Sequence, residues 1–129
     1  MIVPSESWDQ SRALYSVGGD AEFLTELAGI FCAACPTLLK SLGEAIAAKN
    51  CDTAVDAAHL LGRAARNLVA TRVQRTALTV ETMAVHKELD DIGKAYYELR
   101  QETDRLVAAL TDFRTKTSEQ RGITGPPQT

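Results

Sequence analysis

Apolar residues recur along this chain at intervals of three and four, the spacing of helices that each bury one face. The clearest case is Asp52–Ala70, DTAVDAAHLLGRAARNLVA, read as one helix with Asp52 capping its first turn. Val55, Ala58, Leu61 or Gly62, Ala65 and Leu68 form its inward stripe. Upstream, Ser7 and Gln10 have capping-box spacing, which predicts a short helix from Trp8 to about Val17, anchored by Trp8, Leu14 and Tyr15. Gly18 and Gly19 break it, and Asp20 caps the next helix.

That next pattern runs from Ala21 to about Lys49, with Phe23, Leu24, Leu27, Ile30, Phe31, Ala34, Leu38, Leu42 and Ile46 on one face. Pro36 inside it should kink the helix or split it. A third long pattern, from about Arg72 to Leu89, carries Val73, Ala77, Val80 or Glu81, and Ala84. Asp90, Asp91 and Gly93 then supply a turn. The last helix alternates four and three through Ile92, Tyr96, Leu99, Thr103, Leu106, Leu110 and Phe113. From about Ser118 the residues SEQRGITGPPQT lose this period and read as a flexible tail over 118–129, and 1–7 read as a disordered start. The expected fold is therefore all-α: an antiparallel up-down four-helix bundle over 8–117, with a short extra N-terminal helix.

Composition narrows the function. At 129 residues the chain suits one domain and buries roughly two-thirds of its unfolded surface without staples. Aromatics are only 5% and alanine is abundant, which favours close helix packing over a sandwich. A net charge of −3 argues against nucleic acid or an anionic membrane as partner. No secretory core or membrane-length apolar run stands out, so a soluble, cytoplasmic monomer is expected. Cys32 and Cys35 have CxxC spacing, but a helical pattern precedes them and no second ligand pair exists. They read as reduced, apolar helix residues, and no metal site is expected.

The candidate chemistry sits on the Asp52–Ala70 helix. His59 is one step round from Ala58, on the border of the buried stripe, among Ala57, Ala58 and Gly62. Spacing alone suits either a histidine filling a notch or an accessible nucleophile. A neutral imidazole can attack phosphorus and hand the group on, given nearby positive charge. Arg63 and Arg66, four and seven positions on, share the His59 face. His86, among charges near a helix end, reads as a solvated surface residue.

AAHLLGRAARNLVA resembles the signature of histidine-containing phosphotransfer (HPt) domains, which usually run Ala-His-x-Leu-Lys-Gly, then small residues, then Leu-Gly. WDQSRALYSVGGDAEFLTELAGIF and CPTLLKSLGEAIAAKNCDTAVDAAH are similar to the family's approach to that helix, so the resemblance covers roughly 8–113. It implies a four-helix bundle whose His59 relays a phosphoryl group between aspartates of response-regulator receiver domains, with or without a hybrid histidine kinase. It further implies no cofactor of its own, with Mg²⁺ on the receiver, and no ATP-dependent kinase activity. Gly62 stands where the family has Lys, Arg63 where it has Gly, and Val69 where it has the later Gly. Arg63 either replaces the lysine charge or fills the gap a receiver enters, which would leave a module that docks without accepting phosphate. Leu60, Gly62, Leu14 and Val17 are the expected docking residues.

Overall fold

The computed structural model describes residues 8–124, with side chains through residue 119. Five helices follow in order: α1 (Gln10–Ser16), α2 (Ala21–Ala47), α3 (Cys51–Arg66), α4 (Thr71–Val85) and α5 (Ile92–Thr124). Among the described residues there is no strand. The four long helices pack α2 on α3, α3 on α4, α4 on α5 and α5 back on α2, which closes the up-down bundle. Leu24, Phe31, Leu42, Leu61, Leu68, Val73, Val80, Ile92, Leu99, Leu106 and Leu110 fill the core. Alanines at 28, 54, 57, 58, 65, 77 and 84 are also buried, so the helix axes can approach closely.

The turns share one device. Each of the first four helices closes with an amide three or four residues past its end reaching back: Gly19 to Leu14, Asn50 to Ala45, Ala70 to Ala65 and Glu88 to Met83, at 2.8–2.9 Å. The residue before each of those amides is left-handed: Gly18, Lys49, Val69 and Lys87. Asn50 both closes α2 and caps α3, accepting from the Thr53 amide at 3.1 Å. The cap of α3 is therefore Asn50, not Asp52, which instead lies in the first turn where its charge favours the helix dipole. The same helix ends at Arg66 rather than Ala70, because Val69 takes φ 54° and turns the chain.

Other expectations are corrected. The cap of α1 is Asp9, which accepts from the Arg12 amide, and Ser7 and the disordered start at 1–7 lie outside the described residues. Tyr15 is 87% exposed, because it lies two positions round from the buried Ala13 on a one-sided short helix. Phe23 and Ile30 also face outward, about 100–120° from the Leu24–Phe31–Cys35 line. Pro36 neither ends nor divides α2, since Phe31, Cys35 and Leu42 hold both flanks in the core. Gly93 belongs to α5 rather than to the turn. That helix continues through 118–124, where a tail was expected, and its described limit is just ahead of Gly125-Pro126. Helix propagation fixes one residue per hydrogen bond, so Glu, Gln and Arg extend it without an apolar stripe. Residues 125–129 of the expected tail lie outside the described residues.

By length and composition α2 could cross a membrane, with mean hydropathy 1.4 over its most apolar window. Leu, Ile, Phe and Cys supply most of that hydropathy, but Pro36, Thr37, Lys40, Ser41 and Gly43 interrupt them, so no single run stood out; here its core face, with Leu24, Phe31 and Leu42, is packed in the bundle.

Trp8 ties the N-terminal segment down. Its indole Nε1 donates to the Leu68 carbonyl at 2.8 Å, and its ring meets Phe113 edge-on at 5.5 Å. Leu14 of α1 and Val17 just past its end are half-buried against the same core.

Candidate functional site

The antiparallel α3–α4 pair sets the geometry of the site. A Cβ on Gly62 would lie 3.5 Å from that of Ala77, so the two helices touch at this level. One turn earlier on α3 and one later on α4, His59 faces Glu81: Nδ1 lies 3.3 and 3.4 Å from the two carboxylate oxygens. These contacts are slightly long for hydrogen bonds and are shared between two acceptors. The His59 side chain remains 54% exposed, and that of Glu81 24%. With the proton on Nδ1, the carboxylate accepts it and Nε2 keeps its lone pair.

A groove of about 450 Å³ runs from this pair toward the α3–α4 turn. His59, Gly62, Arg63 and Arg66 form its α3 wall, and Arg75, Leu78 and Glu81 part of its α4 wall. Three arginines therefore line one groove beside the histidine, against one carboxylate, in a chain of net charge −3.

Of the residues expected at the site, His59, Gly62, Arg63 and Arg66 line this groove together. Leu60 is 49% exposed, but it is one step round α3, turned away from α4. Leu14 on α1 and Val17 at its C-terminal cap do not line the groove. Sequence reading missed Glu81, Arg75 and Leu78. Glu81 was offered as an alternative to Val80 in the core, and the structure buries Val80 and leaves Glu81 at the groove. The signal was the turn: reflecting α3 about the end of the turn, near Ala70, brings residue 59 opposite residue 81.

Among the described residues no group of three His, Cys, Asp or Glu is placed to hold a metal ion. The three cysteines are free thiols. Burial, with Cys32 and Asp104 nearby, pushes the Cys35 thiol up to about 12, so it stays protonated and unreactive.

The chain is thus a four-helix bundle that carries a half-exposed histidine beside arginines on one groove. The Hpt domain family matches residues 26–109, and the chain belongs to that family. No curated protein and no solved structure matches the chain. Membership carries a phosphotransfer role in a phosphorelay, a helical bundle, and receiver domains and kinases as the general kind of partner.

Proposed function

We propose that this protein is an active phosphoryl carrier, in the cytoplasm and as a monomer, with His59 as the acceptor. The observation that carries the reading is the His59–Glu81 pair: an accessible ring whose Nδ1 faces a carboxylate and whose Nε2 has no hydrogen-bond partner among the described residues. In the forward step the Nε2 lone pair forms an N–P bond as the P–O bond to a partner aspartate breaks, its electron pair leaving on that carboxylate. The Nδ1 proton stays in place, and Glu81 faces the positive charge the phosphorylated ring acquires. The reverse step passes the group to a second aspartate and restores the neutral ring. The receiver domain brings the Mg²⁺.

Arg63, one turn from His59 and in the same groove, supplies the positive charge for the phosphoryl oxygens that the family's lysine would otherwise provide. Gly62 keeps the surface beside the ring low. Glu81 is a positioning residue, acting through the tautomer and orientation of the imidazole.

The test is transfer from ³²P-labelled receiver domains to the purified protein, with variants alongside. Acid-labile label on the wild type, absent from His59→Gln, is the expected result. Glu81→Ala should slow transfer roughly 10- to 100-fold with little change in KM, and Glu81→Gln, which keeps an acceptor, should recover part of it. No label on the wild type, with labelling restored by Gly62→Lys with Arg63→Gly, would mean a module that docks without accepting phosphate.

A further inference from the structure

We infer that the half of the α3–α4 groove away from His59 is a docking subsite for a carboxylate-bearing surface of the protein partner, held by Arg66 and Arg75. The inference rests on the proposed carrier role, and it fixes the side of the bundle from which the partner comes: over α4, not over α1 and Leu60.

Charge is the first argument. Among the described residues, Arg63, Arg66 and Arg75 make no ion pair, although carboxylates outnumber lysines and arginines in the chain by 17 to 14. Elsewhere Arg72 and Arg105 both reach Glu102 and Lys116 reaches Asp112, while other lysines and arginines stand unpaired singly; what sets Arg63, Arg66 and Arg75 apart is that they line one groove against a single carboxylate. One phosphoryl group at His59 is within reach of Arg63. Arg66 is nearly two turns from His59, about 10 Å along the axis. The register set by Gly62–Ala77 and His59–Glu81 puts Arg75 across the groove, level with the stretch between Arg63 and Arg66. These two guanidiniums thus extend the positive charge beyond the reacting group.

Shape is the second. The groove is open along its length, and Leu78 on its rim is 59% exposed. Thr71 and Gln74 line its far end as neutral hydrogen-bonding groups. An open groove with charges around an exposed leucine suits a protein surface, whereas a small anion would need an enclosed pocket. A cationic patch on an acidic protein also steers an acidic partner toward itself and repels a basic one.

The experiment compares Arg66→Glu/Arg75→Glu with Lys40→Glu/Arg100→Glu, an equal charge change in the separate α2–α5 groove. Arg66→Gln/Arg75→Gln provides a milder version, and circular dichroism checks folding of each. Phosphorylated receiver domains serve as one probe, and phosphoramidate, a small donor without a docking surface, as the other. The expected result is a KM for receiver transfer raised roughly tenfold by the Arg66/Arg75 reversal relative to phosphoramidate labelling, less than about twofold by the control, with weaker salt dependence. Equal effects of the two reversals, or none, would overturn the subsite. So would phosphoramidate labelling of a wild type that no receiver serves. If phosphoramidate leaves His59 unlabelled, the carrier reading fails by itself. Receiver binding isotherms then decide the subsite: loss of binding on Arg66/Arg75 reversal supports it, and retained or absent binding overturns it.

Discussion

Two glycines show how one residue type answers to different neighbours. Gly62 has normal helical backbone, and an added Cβ would make only ordinary contact with Ala77 at 3.5 Å. Gly62→Ala should therefore stabilise the fold by about 0.5–1 kcal/mol, the helix propensity gained. At Gly43 a Cβ would come within 2.6 Å of the Tyr96 hydroxyl, which donates to the Leu39 carbonyl at 2.8 Å. Gly43→Ala must displace that phenol and break its bond, so it should destabilise by about 1–2 kcal/mol despite better propensity. Urea unfolding of both variants tests the opposite signs. The sequence showed two glycines within helical patterns. It could not say which one lay under a tyrosine more than fifty positions away.

The helices are terminated by a repeated left-handed turn, and in three of four cases the residue there is not glycine. Lys49, Val69 and Lys87 take φ of 55°, 54° and 59°, conformations that a Cβ disfavours by roughly 1–2 kcal/mol. A β-branched residue such as Val69 is the most strained of these. Lys87→Gly, at an exposed position, should gain about 1 kcal/mol. Val69→Gly should gain less, because the valine is half-buried against the core and that contact is lost. Thermal melts showing the Val69 change to be the larger gain would contradict this division. Element existence and inward stripes were legible because they depend on period alone. Helix ends were less so: Ser7 and Asp52 carry capping side chains, but the observed caps of α1 and α3 are Asp9 and Asn50. Which nearby polar residue caps is decided by where the preceding segment places the first turn.

For the whole molecule, burial makes stability depend on alkaline pH. Cys35 is protonated up to about 12 in the folded state, against 9.0 in the unfolded chain. Between those values the unfolded state holds fewer protons, so stability is full below pH 9 and falls as pH rises toward 12. Urea midpoints of the wild type and Cys35→Ala measured across pH 8–11 should diverge, with the wild type falling more steeply. At pH 8 thiol-reactive reagents should modify the half-buried Cys32 and Cys51 well before Cys35. CxxC spacing in the sequence shows the pair but not its state: the helix buries one thiol and leaves the other half-exposed.

The all-helical bundle, its order of elements, the stripe on each long helix, and the grouping of His59, Arg63 and Arg66 on one helix face are all written in local residue spacing. All of these follow from the 3.6-residue period, which relates neighbours within one helix. What one helix receives from another came from packing alone: Glu81 against the imidazole, Arg75 across the groove, Ala77 beneath Gly62, and the half-burial of Leu14 and Val17. Those depend on the register of α4 against α3 and the docking of α1. Both are set by the left-handed turn at Val69 and the packing of Trp8 on Leu68 and Phe113, contacts between residues that no local pattern connects.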